Sequence, residues 1–108
     1  MNIQAIEIDQ MMSNAAAASR LMKALGNPHR LIVLCQLDDG EHSVGDLQRS
    51  VGLSQSALSQ HLARLREDGL VGTRREAQTI YYRLANDTVG EIIRLLYHLY
   101  CEPGPDRK

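Results

Sequence analysis

Residues 54–66 read Ser-Gln-Ser-Ala-Leu-Ser-Gln-His-Leu-Ala-Arg-Leu-Arg, and at helical spacing Leu58, Leu62 and Leu65 fall on one side. Ser56, Ser59, Gln60, Ala63 and Arg64 fall on the other. Such a segment predicts a helix held by its apolar back, with a front of hydrogen-bonding groups offered to solvent. A Gly69-Leu70 stop follows, and then two runs rich in β-branched and aromatic residues, Val71 to Glu76 and Thr79 to Leu84, with two residues between them. That spacing predicts a hairpin, and it carries Arg74 and Arg75. A polar-faced helix running straight into an arginine-bearing hairpin demands a small scaffold beneath the helix and leaves the hairpin projecting as a wing.

The remaining segments supply that scaffold. A helix is expected from about Asp9 to Leu25, with Met12, Ala15, Ala16, Leu21, Met22 and Leu25 forming a broken apolar stripe that Gly26 stops. Asn27-Pro28 provides an N-cap and a first-turn proline for a helix through Leu37, in which Leu31, Leu34 and Cys35 share a face. Asp38-Asp39-Gly40 ends it. Ser43 with Asp46 resembles a capping box for a short helix buried by Val44, Leu47 and Val51 and stopped at Gly52. Thr88 and Glu91 form a second such box. After it, Val89, Ile92, Ile93, Leu96, Leu99 and Tyr100 make an apolar face wider than one small core requires, which points to subunit contact. The order α-α-α-α-β-β-α is mainly helical with one β-hairpin, a winged helix-turn-helix. It occupies residues 1–102 as one domain, and Pro103 opens a polar tail over 103–108.

Charge is unevenly spread. The 108 residues carry a formal net charge of −1, yet positions 43–84 hold six arginines against four acids. A modestly basic region beside an acidic remainder suits a protein that meets DNA through one face. There is no long apolar run, and no basic segment precedes an apolar one at the N-terminus, so a cytoplasmic protein is expected. Cys35 and Cys101 are then free thiols by default. A cysteine with His29, His42, His61 or His98 as base would make an enzyme only with an oriented third group and an oxyanion loop, and neither is visible. A pure protein-interaction module is opposed by the polar front of the 54–66 helix.

Within a major groove, Gln pairs bidentately with adenine, Ser donates or accepts, and Arg reads guanine or clamps phosphate. Gln55, Ser56, Ser59 and Gln60 are the expected base readers. Arg64, Arg74 and Arg75 flank them and suit phosphate or minor-groove contacts, with Gln78 at the tip of the hairpin. Arg66 lies nearer the core edge, and His61, beside the leucine stripe, is read as a packing residue.

These residues resemble the ArsR/SmtB family of bacterial transcriptional regulators over nearly the whole chain. The resemblance rests on Leu25-Gly-Asn-Pro-His-Arg-Leu31, Ser43-Val-Gly-Asp-Leu47, Leu53-Ser-Gln-Ser-Ala-Leu-Ser-Gln-His-Leu62, Leu65-Arg-Glu-Asp-Gly-Leu-Val71 and Thr79-Ile-Tyr-Tyr-Arg-Leu84. It implies a homodimer joined through the first and last helices, bound to imperfect palindromes of double-stranded operator DNA until an inducer releases it. Half-sites would stand about 34 Å apart. Metal-sensing members use a Cys-X-Cys pair, which would fall near Ser43-Val44-Gly45, or ligands in the last helix; neither set is intact here, although His98 and Glu102 remain. No metal and no cofactor are expected, and a metal-responsive repressor is the alternative. Leu34-Cys35 and the closing Leu96-Tyr-His-Leu-Tyr-Cys-Glu102 are similar to the dithiol branch of the family. That similarity implies that Cys35 and Cys101 of one subunit become linked by a disulfide or polysulfide bridge, weakening DNA binding in response to reactive sulfur species or an oxidant. The branch contains both repressors and proteins that activate by displacing another repressor.

Overall fold

The side chain of Asn27 begins the helix on which the others are assembled. Its carbonyl oxygen accepts from the backbone N–H groups of His29 at 2.9 Å and Arg30 at 3.1 Å. Arg30 turns back to the preceding helix, donating from Nε to the Ala24 carbonyl at 2.6 Å and from Nη2 to that of Lys23 at 3.1 Å. Two orphaned helix ends are thus satisfied by residues three apart.

In this computed structural model, which describes residues 7–101, the order is α1 (Ile8–Leu25), α2 (Pro28–Leu37), β1 (His42–Ser43), α3 (Val44–Val51), α4 (Gln55–Glu67), β2 (Val71–Glu76), β3 (Thr79–Leu84) and α5 (Asp87–Tyr100). The expected tail over 103–108 lies outside the described residues. Helix α2 packs against α1, α3, α4, α5 and β3, and its Val33, Leu34 and Leu37 are buried together with Leu47, Leu58, Leu62, Leu65, Val89 and Ile93. The three leucines expected on the back of α4 are all in this core. Its front, Ser56, Ser59, Gln60, Ala63 and Arg64, is exposed.

Both hairpin strands occur where the alternation placed them, paired antiparallel from Val71 opposite Leu84 to Glu76 opposite Thr79. Ala77 makes the two-residue turn with φ of 56°, the left-handed region a hairpin of this length requires. Gly69, at φ 76°, lets the chain leave α4 while the Leu70 N–H returns to the Leu65 carbonyl at 2.9 Å.

Three details differ from expectation. A third strand, β1, pairs with β3 through His42 opposite Tyr82 and Ser43 opposite Tyr81, giving the sheet order β1-β3-β2; two residues are too few to show a period. The cap of α5 is Asn86, which accepts from the Val89 N–H at 3.1 Å, so the helix begins before Thr88. At α3, Ser43 caps as expected, accepting from the Asp46 N–H, but the Asp46 carboxylate pairs with Arg49 instead of completing a box.

Replacing Asn27 with alanine removes both cap bonds and should lower the unfolding free energy by about 1 kcal/mol. Urea unfolding at fixed protein concentration reads this, and a midpoint equal to the parent's would show that the cap contributes nothing.

Candidate nucleic-acid interface and thiol pair

Helix α4 is presented by its back. With its leucines fixed in the core, Gln55 and Ser59 face the wing across a groove of about 510 Å³ also lined by Ser43, Val44, Gly45, Gln78, Thr79, Ile80 and Tyr82. Three of the expected DNA-contacting residues, Gln55, Ser59 and Gln78, are therefore gathered into one groove from two elements. Beside it, Ser59, Ala63, Arg66, Glu67 and Tyr82 border a second hollow of about 480 Å³. Tyr82 lines both and was not foreseen; the alternation of β3, which turns Ile80 and Tyr82 to one face, was the available signal.

The flanking arginines are in different states. Arg64 donates to Asp68 one helical turn on, at 2.8 Å. Arg74 donates to Glu41 at 2.8 Å and to Glu76 at 2.8 Å, and its guanidinium lies 4.5 Å from the ring centroid of Tyr81, its cross-strand partner. Those bonds, from Glu76 first and then Glu41, push the Arg74 pKa up. The bridge to Glu41 ties the wing to the loop before β1. Arg75, Ser56 and Gln60 are exposed.

Behind the reading helix, His61 packs its ring against His29, with centroids 5.8 Å apart at a 35° tilt. Loss of water, then the charges of Arg30 and His29, lower its pKa below 6.5. This is the packing role the sequence indicated. Because the fold favours the neutral ring, the stability it contributes is complete above about pH 6.5 and is lost as pH falls through the lowered folded value. His61→Gln should therefore flatten the loss of stability between about pH 7.5 and pH 5 in urea unfolding. Equal slopes in the two proteins would exclude this role.

The two cysteines are free and exposed, Cys35 on α2 and Cys101 as the C-cap residue of α5. Cys35, which shares an arc with Leu31 and Leu34, stays outside the core, because α2 spends Val33, Leu34 and Leu37 inward and leaves Cys35 on the flank toward α5. Partial loss of water raises its pKa, and the nearby charges of Cys101 and then Asp38 raise it further. A cleft of about 400 Å³ opens at Cys35, lined by Asp38, Asp39, Ile93, Arg94 and Tyr97. At its edge Arg94 Nη1 donates to Asp38 Oδ1 at 2.7 Å, joining α2 to α5. The pair lies over Gly90, where a Cβ would stand 3.0 Å from Arg94 Nη1 and 3.2 Å from Asp38 Oδ1. Sequence reasoning missed this group, although Gly90, Arg94, Tyr97 and Cys101 recur at one-face helical spacing. Among the described residues, no helix is long and apolar enough to cross a membrane.

A polar-fronted helix on a leucine back, a two-stranded wing and a groove between them define a winged helix-turn-helix DNA-binding protein. Residues 27–73 match the family model described as bacterial regulatory protein, arsR family. The transcriptional activator HlyU of Vibrio cholerae is 53% identical over 97 residues, 90% of either chain. Its reduced structure superposes with a TM-score of 0.83 at 54% identity, covering 88% of this chain and 100% of that one. The biofilm growth-associated repressor of Agrobacterium fabrum is 43% identical over 103 residues, 95% of this chain and 88% of its own. A homodimeric winged helix-turn-helix DNA-binding domain of Mycobacterium bovis shares 30% identity at a TM-score of 0.76, over 91% of this chain and 95% of that one. The chain belongs to the ArsR family: it is a DNA-binding transcriptional regulator and not an enzyme.

Proposed function

We propose that the chain is a dimeric repressor that leaves its operator when Cys35 and Cys101 of one subunit are joined through sulfur. The observation that carries this reading is that both thiols are exposed on helices packed against each other, Cys35 on α2 and Cys101 at the end of α5. Similarity to the V. cholerae regulator whose reduced form was solved adds to it.

Dimerisation follows from α1. Between residues 8 and 20 this helix is exposed apart from a half-buried Met11, and Ile8, Met12 and Met22 are each about 70% open to solvent. A helix with so little burial is marginal alone. Leu95 and Leu99 of α5 are also exposed, on the flank away from Arg94 and Tyr97. A second copy covering both surfaces would set two α4 helices about 34 Å apart, one per half-site. In that arrangement Gln55, Ser56, Ser59 and Gln60 read bases, while Arg64, Arg75 and Gln78 contact the backbone. Arg74 gives Nε to Glu41 and Nη1 to Glu76, and its remaining guanidinium N–H groups are available to a phosphate.

The sulfur chemistry balances without a further oxidant when the inducer is a persulfide, R–S–SH. A cysteine thiolate attacks the outer sulfur, the donor S–S bond breaks, and R–S⁻ departs and takes up the proton, leaving Cys–S–SH. The second thiolate then attacks the inner sulfur and expels HS⁻, giving a disulfide; two loaded cysteines instead condense to a trisulfide and release H₂S. With a peroxide, one thiol becomes a sulfenic acid and the other displaces water. Either bridge fastens α2, which supports α4, to the end of α5, which anchors the dimer. A coupling of about 1–3 kcal/mol between bridge and operator would weaken binding roughly five- to 150-fold.

Fluorescence anisotropy with DNA from the upstream region, at one salt concentration, tests this. Glutathione persulfide should weaken binding within that range and reductant should restore it, while Cys35→Ser and Cys101→Ser bind but ignore the inducer. A single variant that still responds fully would overturn the two-thiol reading.

Gln60→Ala should cost about 1–3 kcal/mol on operator DNA and leave binding to random DNA unchanged. Arg75→Ala should weaken both alike and reduce the salt slope by about one. If Gln60→Ala lowered affinity equally for both DNAs, Gln60 would not be a base reader.

A further inference from the structure

The cleft at Cys35 has a definite electrical character. Its charged lining is Asp38, Asp39 and Arg94, with Ile93 and Tyr97 as apolar walls. Arg94 is committed to Asp38 through one nitrogen, and the Asp38–Arg94 pair is close to neutral. That leaves Asp39 as a further carboxylate at the rim, its side chain 78% exposed and one oxygen 2.9 Å from His42 Nε2. A guanidinium has five N–H donors, so Arg94 can hold Asp38 and still bind a second carboxylate. Beside a thiol, the rim therefore offers one place for an ammonium, one for a single carboxylate, and repulsion for any further anion.

We propose that this cleft is the entry site for the sulfur donor and selects it by charge, accepting small zwitterionic persulfides of the cysteine type over acidic carriers of the glutathione type. The proposal rests on the dithiol reading and names its substrate class. The ammonium of an amino-acid persulfide meets Asp39, its carboxylate meets Arg94, and its sulfur chain lies along Ile93 toward Cys35. Transfer then follows the balanced step given above: Cys35 takes the outer sulfur and the carrier leaves as its thiol. A glutathione-type donor brings a second carboxylate for one ammonium, and that group falls in the field of Asp39. At the surface of a protein, a single added repulsion of this kind changes an encounter rate by roughly three- to tenfold and is screened by salt.

The test uses the full-length chain and mass-resolved initial rates of Cys35 persulfidation by cysteine persulfide and by glutathione persulfide. Each rate is normalised to the same donor reacting with an unstructured cysteine peptide. The normalised ratio should favour cysteine persulfide about three- to tenfold at low salt and approach one near about 0.5 M salt. Asp39→Asn, an exposed change that spares the core, should bring it toward one at low salt, while Arg94→Gln should slow the zwitterionic donor more than a neutral alkyl persulfide. A ratio of one in the parent, or a ratio that Asp39→Asn leaves unaltered, overturns the charge selection while the two-thiol reading stands. Failure of either donor to modify Cys35 in the folded chain, when the urea-unfolded chain reacts, overturns both.

Discussion

The burial of one face of α2 is the interaction from which the molecule is organised. Val33, Leu34 and Leu37 disappear from solvent against residues of four other helices and of β3. Each such side chain contributes about 1.5–3 kcal/mol through removal from water, so a short helix holds together elements that are individually marginal. The reading helix is the main beneficiary. Leu58, Leu62 and Leu65 lock its back against this core, so the direction of its polar front is decided by packing and not by the front itself.

That arrangement also explains why a change at the thiols has somewhere to go. Cys35 follows Leu34 in sequence, so one residue is in the centre of the core while its neighbour stands at the surface facing α5. A covalent link made at the surface therefore acts on the helix that carries the core. The wing is held by different means, the Glu41–Arg74–Glu76 bridge and the Arg74–Tyr81 stack, both at the surface and open to exchange with phosphate. Core packing fixes α4 and the base of the hairpin, where Val71 and Leu84 join the core, whereas the arginine-bearing part of the wing is held by electrostatic contacts.

Much of this was legible in the chain. The period of α4, the serine cap of α3, the hairpin strands and the asparagine–proline start of α2 are local properties, and local chemistry predicted them. The misses have a common cause. Thr88 and Asn86 can each cap a helix; what selects Asn86 is where the hairpin ends, marked by the Ala85 N–H donating to the Leu70 carbonyl at 3.0 Å. Leu31, Leu34 and Cys35 do fall on one arc of α2, but the core takes the arc through Val33, Leu34 and Leu37. Arg74 with Glu41 and Arg94 with Asp38 are separated by 33 and 56 positions, and no pattern along the chain records such meetings. The exposed serines and glutamines of α4 were visible because they stand out against a helical stripe. The surroundings of Cys35 were not, because they are assembled from two helices.

The electrostatics at Cys35 place a condition on its chemistry. Desolvation raises its pKa first, and the charges of Cys101 and Asp38 follow, so the state with both thiols ionised is disfavoured. This suits bridge formation, which needs only one thiolate at each step: one cysteine accepts sulfur, becomes a sulfur electrophile, and is then attacked by the other. A thiol kept largely protonated is also a poor target for indiscriminate oxidation, while the thiolate it does form is the more nucleophilic for its higher pKa.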